Sequence, residues 1–300
     1  MFSQKRFLLV GVGILLIGLC LSIAGCAEEG EQPAAQQGKI IGIEPGAGIM
    51  QNTEKAIEEY NLDFKLVASS SAGMATELTK AINNNDWIVV TGWTPHWKFA
   101  RFDLKYLEDP EGVYGGEEFI GTIARPGLEE DKPGLYAILE RFHWKAADMN
   151  SVMLDMEGGM KPEAAAQKWI DANQATVDEW IGEVSGEGVS TKIAYVTWDS
   201  EIASNNVLKI VLEEAGFDVN LVATDAGPMY QAVAEGDADF SVSAWLPITQ
   251  ANYWEEYKDD IVLVRHNLEP AKCGLVVPAY VYEAGCQSIA DLNEFTDKFA

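Results

Sequence analysis

The sequence is poor in positive charge and in the side chains that most often bind metals. Its 300 residues carry 21 Lys and Arg against 47 Asp and Glu, which gives a net charge of −26. A surface this acidic is repelled by nucleic-acid phosphates and by anionic lipids, so both are poor partners. Only three His occur, and neither His-x-x-x-His nor Cys-x-x-Cys spacing is present. We therefore expect no metal site and no cofactor.

Motifs of catalysis are also missing. The chain has no Gly-x-Ser-x-Gly elbow, no Walker loop, no Cys-His nucleophile pattern and no carboxylate pair within a supporting motif. We therefore expect a protein that is not an enzyme. By contrast, 48% of the residues are apolar and 10% are aromatic, which is enough to bury a large core and excludes general disorder.

The first 26 residues have the pattern of a targeting segment. Lys5 and Arg6 precede an apolar run of 19 residues, after which the chain turns polar. The run is long enough to span a bilayer as an uncleaved anchor. The four residues ending at Cys26, Ile-Ala-Gly-Cys, instead resemble a lipoprotein signal in which Cys26 carries the lipid, and we favour that interpretation. Both interpretations leave the rest of the chain outside the cytoplasm and tethered to the membrane.

Residues 27–38 contain no large apolar side chain and are predicted to be a flexible tether. Two further cysteines, Cys273 and Cys286, lie 13 residues apart near the end of the chain. A disulfide between them is permitted outside the cytoplasm. Two separate buried thiols fit the sequence equally well, because the geometry of the pair cannot be read from spacing.

From Lys39 onward, short β-rich runs alternate with helical runs, which is typical of parallel strands joined by crossover helices. The plan occurs twice: 53 residues separate Ile40 from Trp93, and 52 separate Ile193 from Trp245. Each third strand also finishes in Trp-x-Pro. The equal spacing and shared tripeptide predict two similar α/β lobes.

The chain is predicted to cross between these lobes twice. Extended stretches at Phe119–Arg125 and Val264–Val277 flank a mainly helical segment and the second α/β set. We therefore assign residues 39–127 plus 264–300 to lobe I and residues 128–263 to lobe II. Two crossings make a hinge about which the lobes can close over a ligand.

A glycine turn follows the first strand. Residues 46–51 read Gly-Ala-Gly-Ile-Met-Gln, which lacks the third glycine of a dinucleotide fingerprint. The turn opens a helix at Ile49, where free backbone N–H groups favour an anion such as a carboxylate. A tight turn without any ligand is an equally good interpretation of this segment alone.

Tryptophan placement carries the strongest signal of a site. Trp93, Trp198 and Trp245 each stand just past the carboxyl end of a predicted strand, where open α/β sheets bind their ligands. A single such Trp is more often core. Three of them at equivalent strand ends, in lobes that should face each other, predict an aromatic cage across a cleft. Indole faces attract cations, and quaternary ammonium groups above all. Together with a carboxylate at the helix start, the cage predicts a betaine.

Four segments resemble the glycine betaine/proline betaine substrate-binding proteins of osmoprotectant ABC importers. They are residues 42–50 (GIEPGAGIM), 91–97 (TGWTPHW), 194–204 (AYVTWDSEIAS) and 243–247 (SAWLP). The resemblance implies a two-lobed periplasmic-binding-protein fold of the Venus flytrap type, with the ligand in the inter-lobe cleft. It also implies a monomer that delivers betaine to a permease driven by a cytoplasmic ATPase.

Carried onto this sequence, the resemblance places Trp93, Trp198 and Trp245 around the trimethylammonium group. It places the backbone N–H groups of Gly48 and Ile49 on the carboxylate. One position departs from the family pattern, because Gln250 stands where the closest relatives have a carboxylate-binding His. An amide can donate the same hydrogen bond but cannot become positively charged. The alternative is that Gln250 faces solvent and a neighbour replaces it.

Two other functions are compatible with parts of this pattern: a membrane-tethered betaine sensor, and an exported enzyme acting on methylated amines, which the missing motifs disfavour. Other notable residues near the motifs are given structural roles. His96 and Trp97 are expected to pack at a helix start. The acidic pair Glu117 and Glu118 is expected on a solvated face.

Overall fold

Strands from both ends of the chain combine into one mixed sheet of nine strands in this computed structural model, which describes residues 37–300. The strand order is β2-β1-β3-β9-β5-β8-β6-β7, and β4 pairs with β9 to one side of this path. The strands are β1 Gly38–Ile41, β2 Phe64–Val67, β3 Val89–Thr94, β4 Leu104–Tyr106, β5 Glu118–Ala124, β6 Ser190–Tyr195, β7 Asp218–Ala223, β8 Phe240–Leu246 and β9 Val262–Pro278.

Helices connect these strands and cover the sheet. They are α1 Gly48–Glu59, α2 Ser71–Asn84, α3 Trp97–Arg101, α4 Leu128–Asp131, α5 Pro133–Arg141, α6 Ala146–Glu157, α7 Pro162–Ala172, α8 Gln174–Ile181, α9 Asp199–Glu214, α10 Ala226–Ala234, α11 Ala251–Tyr257 and α12 Ala279–Glu283. A 3₁₀ segment, Ile289–Lys298, follows α12. Within residues 37–300, no helix is both long enough and apolar enough to cross a bilayer.

The predicted signal segment and its lipid-bearing Cys26 lie outside the described residues, as does the tether up to residue 36. The tether prediction was too long at its end, because Gly38 is already a buried residue of β1. A side chain there would meet the ring of Phe64, so this close approach of two strands requires glycine.

Two stretches of the sheet repeat the same topology, as the spacing predicted. In the first half, β1 pairs in parallel with β2 and β3, and α1 and α2 form the crossovers. In the second half, β6 pairs in parallel with β7 and β8, and α9 and α10 form the crossovers. We call the segment from β1 to β3 the first half, and the segment from β6 through β8 to the end of α11 the second half.

The predicted elements form where local chemistry favours them. Ser70 accepts a hydrogen bond from the backbone N–H of Gly73 and so caps α2. Proline stands in the first turn of α5 and of α7, where its missing N–H costs nothing. The six residues of β3 include two Val and two Thr, whose branched side chains suit a buried strand.

Two long strands link the halves. The predicted crossings, Phe119–Arg125 and Val264–Val277, correspond to β5 and β9, and these pair antiparallel with each other. The second of these, β9, is a single strand of 17 residues. Its carboxyl end pairs with β3 in the first half, and its amino end pairs with β5, which in turn pairs with β8. The division of the chain into lobes at residues 127 and 264 stays a prediction.

A helical layer, α5 to α8, lies between β5 and β6 in the chain and buries its own aromatic core. Phe142 and the indoles of Trp144, Trp169 and Trp180 pack within 6.3 Å of one another, measured between the ring centroids of neighbours. These rings are core residues, so a buried Trp in this chain is not by itself a sign of a site.

Candidate functional site

Three tryptophans from different parts of the sheet meet around one small cavity. Trp93, Trp198 and Trp245 line it together with Ile43, Ile49, Thr249 and Cys273. The ring centroids of Trp93 and Trp198 are 6.4 Å apart. The cavity has a volume of about 10 Å³, which is barely enough for one water molecule. The indoles are therefore in a closed arrangement and must separate to admit a larger guest.

The strands position two of these rings in the same way. Trp93 is the second-last residue of β3, and Trp245 is the second-last residue of β8. Each is followed two residues later by a proline with a cis peptide bond, Pro95 and Pro247. The prediction that both lie past their strands was wrong, because pairing with β9 and β5 extends β3 and β8 beyond the tryptophans. Trp198 does lie beyond its strand and precedes the first turn of α9.

Every indole N–H of the three is bound to an acceptor. Trp93 Nε1 donates to Ser200 Oγ over 3.3 Å, and Trp245 Nε1 donates to Glu201 Oε1 over 2.5 Å. Trp198 Nε1 donates to Glu44 Oε1. Because no N–H is left over, the rings present π faces to the cavity without a demand for hydrogen bonds.

Glu201 is a buried carboxyl group in the wall behind Trp245. Its side chain is fully buried, and its Oε2 has no hydrogen-bond partner among the described residues. Burial raises the pKa of Glu201 to about 7, although the hydrogen bond from Trp245 acts in the opposite direction. The charge on this side of the site therefore changes near neutral pH.

The start of α1 lies against the second half. Ala47 precedes the helix and has no side chain that can cap it, so the first-turn N–H groups of Gly48 and Ile49 have no partner within the helix. A Cβ on Gly48 would lie 1.9 Å from the carbonyl oxygen of Thr249, so only glycine permits this close approach. Ile49 lines the cavity, whereas Gly48 lies beside it at Thr249.

Thr249 is held in place from β5. Its backbone N–H donates to Glu118 Oε2 over 3.0 Å, and its hydroxyl donates to Glu118 Oε1. Glu118 is buried, so its prediction as part of a solvated face was wrong, whereas Glu117 is exposed. Burial raises the pKa of the Glu118 carboxyl group, and its hydrogen bonds with Thr249 act in the opposite direction.

Cys273 and Cys286 are both free and buried, so the disulfide that their spacing permitted is not formed. The reason lies in their separate surroundings. Cys273 stands in β9 opposite Trp93 and lines the cavity, whereas Cys286 follows α12. Burial, together with the nearby Glu118, raises the pKa of Cys273 well above that of an ordinary thiol, so this cysteine stays protonated.

Gln250 is buried rather than solvated. Its Oε1 accepts from the backbone N–H of Trp245 over 2.9 Å and from the hydroxyl of Tyr230 over 3.0 Å. These bonds fix the orientation of the amide, because a backbone N–H must face the oxygen. The Nε2 group has no partner among residues 37–300, so it is free to donate. Gln250 does not itself line the closed cavity.

A cluster of titratable groups, Lys98, His96 and Asp199, lies next to Trp93. Lys98 Nζ is 3.8 Å from the centroid of the Trp93 ring. His96 accepts from the backbone N–H of Lys98 through Nδ1, which confirms its predicted role at a helix start. His96 Nε2 lies 3.2 Å from Asp199 Oδ2, but off the line of a hydrogen bond.

Polar contacts join the two halves around the cavity. Besides the bonds of Trp93 and Trp198, Ser71 Oγ donates to Asp199 Oδ2 over 3.0 Å, and the Tyr253 hydroxyl donates to the Gly46 carbonyl over 2.6 Å. Each of these bonds links residues more than 120 positions apart in the chain. They would all break if the halves separated.

Sequence reasoning brought the right tryptophans together but missed their partners. Glu44, Ser200 and Glu201 lie inside two of the segments quoted above, two or three residues from the glycine turn or from Trp198. That proximity was the available signal. Thr249 could have been found as the neighbour of Gln250. Nothing in the sequence distinguishes Lys98 from an exposed lysine.

Comparisons with known proteins identify relatives of this chain. Residues 27–172 and 190–300 match the model of the family described as the substrate binding domain of ABC-type glycine betaine transport system. The chain is 47% identical over 258 residues to the glycine betaine/carnitine transport binding protein GbuC of Listeria monocytogenes, covering 85% of each chain.

Two solved structures are also similar. Lactococcal OpuAC, in its closed-liganded conformation with glycine betaine, is 48% identical over 48% of this chain and 57% of its own, with a TM-score of 0.47. The glycine betaine/L-proline-binding protein ProX of Borrelia burgdorferi is 32% identical over 49% of this chain and 56% of its own, with a TM-score of 0.44. The chain thus spans little more than half of each of these structures.

The family match covers most of the chain, and the chain belongs to this family of substrate-binding domains of ABC-type glycine betaine transport systems. The predicted fold class, an α/β fold of the periplasmic-binding-protein type, is confirmed. Members of the family are binding proteins rather than enzymes, so the interpretation as an exported enzyme is set aside. Substrate-binding proteins of ABC importers act outside the cytoplasm, in agreement with the predicted location.

Proposed function

We propose that this protein captures glycine betaine, or a closely related quaternary ammonium zwitterion, between Trp93, Trp198 and Trp245. The observation that carries the proposal is the meeting of three indoles from both halves, each with its N–H bound elsewhere. A trimethylammonium group has no N–H to donate, so it suits a cage of π faces and apolar side chains. No charged side chain lines the cavity within residues 37–300.

The carboxylate end of the ligand is proposed to bind at the start of α1. The N–H groups of Gly48 and Ile49 stand at the positive end of a 12-residue helix, next to the cage. The unpartnered Nε2 of Gln250 is a further donor close to Trp245. A neutral amide gives a weaker hydrogen bond to a carboxylate than a protonated imidazole. The backbone donors therefore carry most of the binding at this end.

Binding is proposed to couple to movement of the halves about β5 and β9. The cavity admits a betaine only when the indoles separate, and the close contact at Gly48 and four hydrogen bonds hold the halves together in this structure. A ligand that bridges the indoles of both halves favours the closed form over the open form by its differential contacts. The closed protein is proposed to deliver its ligand to an ABC permease driven by a cytoplasmic ATPase.

The ligand assignment is tested by calorimetry on the full chain in mild detergent. Glycine betaine is compared with 3,3-dimethylbutanoate, which has the same shape but carbon in place of the charged nitrogen. We expect saturable binding of betaine and binding of the isostere that is weaker by at least about tenfold, the value of a well-placed cation–π contact. Equal binding of the two, or binding of neither, would contradict the proposal.

A matched pair of variants separates the cage from the core. Trp198→Leu keeps an apolar side chain in the cage but removes the π face, and Trp169→Leu makes the same change in the helical layer. We expect loss of betaine affinity only in Trp198→Leu. The same loss in both variants would indicate a general effect on folding.

Delivery and anchoring need separate tests. In cells that lack betaine uptake of their own, this chain expressed with a permease and an ATPase should restore uptake, and omission of the chain should abolish it. Cys26→Ala should release the protein from the membrane fraction if Cys26 carries the lipid. Uptake without the chain would argue against delivery, and retention of the variant would argue against a lipid at Cys26.

A further inference from the structure

Lys98 is a buried cation with an unusual environment. Its side chain is fully buried, and its Nζ has no hydrogen-bond partner among the described residues. Nζ lies over the ring of Trp93, 3.8 Å from the ring centroid. Burial of an ammonium group without hydrogen bonds destabilises a folded protein. A lysine at this position, against an indole that lines the cavity, is therefore more consistent with a functional role than with a role in stability.

The ammonium group lies outside the cavity. Trp93 lines the cavity and Lys98 does not, so Nζ lies against a cavity-lining ring without lining the cavity itself. A cation on one part of an indole draws its π electrons and repels a second cation bound to the same ring. The repulsion acts over a short distance in the protein interior, where the low effective dielectric constant makes charges interact far more strongly than in water.

We propose that Lys98 is a specificity-determining residue of this site: its ammonium opposes the cationic end of a zwitterionic ligand across Trp93, and loss of its proton accompanies binding. This inference rests on the proposed function. Its chemical consequence is that betaine binds best when Lys98 is neutral, and that the affinity reports the charge state of this lysine.

The other titratable groups around Lys98 keep one charge state near neutral pH. Burial, with a smaller contribution from Lys98, lowers the pKa of His96 to about 4, so His96 is neutral. Cys273 stays a thiol. Contacts with His96 and Ser71 hold the pKa of Asp199 below its usual value in spite of burial, so Asp199 is an anion that faces Lys98 from α9.

Lys98 itself titrates in the relevant range. Burial lowers the pKa of Lys98 to about 7, and Asp199 acts in the opposite direction. A ligand cation lowers this pKa further, so binding releases a proton wherever free Lys98 is charged. Affinity for betaine should therefore rise with pH from 6 to 8. Glu201, with a pKa of about 7, gives a change of the same sign at Trp245 and must be separated from Lys98.

The experiment measures the dissociation constant of glycine betaine and of 3,3-dimethylbutanoate from pH 5.5 to 8.5. It uses the full chain, Lys98→Met, Glu201→Gln and the control Lys80→Met, which removes the same charge from an exposed side chain. Calorimetry in buffers of different ionisation enthalpy counts the protons released on binding. Lys98→Leu serves as a second neutral variant.

We expect Lys98→Met to bind betaine about tenfold more tightly than the unchanged chain at pH 6 and equally well at pH 8. Proton release should fall in Lys98→Met, remain in Glu201→Gln and be unaltered in Lys80→Met. The isostere should respond in the opposite direction at pH 6, because a charged Lys98 attracts its carboxylate without repelling a cation. A change in packing alone would shift both ligands together.

Two outcomes overturn the inference, and they can be told apart. If betaine binds but its pH profile and proton release are the same in both Lys98 variants as in the unchanged chain, the inference fails and the proposed function stands. If no variant binds betaine at any pH while the chain is folded, the proposed function fails and takes this inference with it.

Discussion

Trp93 and Trp245 occupy equivalent positions in two halves with the same topology, but their surroundings carry opposite charges. Each is the second-last residue of the third strand of its half and precedes a cis-proline by two positions. Beside Trp93 lies the ammonium group of Lys98, and beside Trp245 lies the carboxyl group of Glu201. Both groups are fully buried.

This difference shows that walls built from the same residue need not bind a cation equally. The carboxylate of Glu201 at the indole N–H makes the π face of Trp245 more negative. The ammonium group of Lys98 over the ring makes the π face of Trp93 less negative, so Trp93 attracts a cation less strongly. We therefore expect the trimethylammonium group to lie closer to Trp245.

The largest effect concerns the pH dependence of stability in Lys98→Met and Glu201→Gln. The pKa of Lys98 is about 7 in the folded protein and near 10.5 when unfolded. Lys98 therefore lowers the free energy of unfolding by its full amount below pH 7, and this destabilisation decreases to zero as the pH rises to 10.5. The pKa of Glu201 is about 7 when folded and near 4.5 when unfolded. Glu201 therefore begins to destabilise the fold above pH 4.5, and the destabilisation reaches its full amount near pH 7 and stays constant above it.

The two variants should therefore gain stability in different pH ranges. We expect Lys98→Met to gain up to about 5 kcal/mol at pH 5, and Glu201→Gln up to about 3 kcal/mol at pH 9, from about 1.4 kcal/mol for each unit of pKa shift. Urea unfolding at pH 5 and pH 9 measures both. The larger gain should pass from the lysine variant to the glutamate variant between these pH values. An unchanged order would show that the two sites are not opposite in charge.

The next effect comes from the contact between the halves at Gly48. A Cβ in Gly48→Ala would collide with the carbonyl group of Thr249 and keep the halves apart. We expect a cost of about 2 kcal/mol to the closed form, or roughly 30-fold in betaine affinity, as for other overpacked sites. Gly116→Ala is the matched control, because a Cβ at Gly116 meets nothing within 4 Å. Similar affinities for the two variants would mean that closure does not depend on this contact.

A direct comparison of the two equivalent tryptophans should show a smaller difference. Trp245→Leu is expected to cost about 1.5 kcal/mol in betaine binding, or roughly tenfold, and Trp93→Leu about 0.5 kcal/mol, within the range of cation–π contacts. Calorimetry at pH 7 measures both. Equal losses of affinity in the two variants would show that Trp93 and Trp245 bind the cation equally well.

The smallest effect is expected from Glu44→Gln. Glu44 is only half-buried and accepts from the indole of Trp198, and an amide oxygen preserves that bond. Loss of its charge should weaken betaine binding about twofold, a few tenths of a kcal/mol, because solvent screens this position. The residual effect should vanish in 0.5 M salt. A larger loss that persists in salt would make Glu44 a structural part of the cage.

The sequence predicted the cage and the halves because both depend on periodic patterns. Alternating strands and helices set the topology, and equivalent strand-end positions distinguished Trp93 and Trp245 from core residues such as Trp169. Glu118 was misread and the place of Cys273 in the cavity wall was missed, because both depend on the long strand β9 and on the turn at Thr249. Burial of Lys98 likewise depends on how a five-residue helix packs under Trp93.

The near absence of free volume between the indoles has a kinetic consequence. A guest enclosed by the three indoles would have no gradual route out past loosened side chains, since escape requires the hydrogen bonds between the halves to break. The rate of release is then set by the rate at which the halves separate rather than by diffusion of the guest. A carrier built this way retains its load until something else opens it.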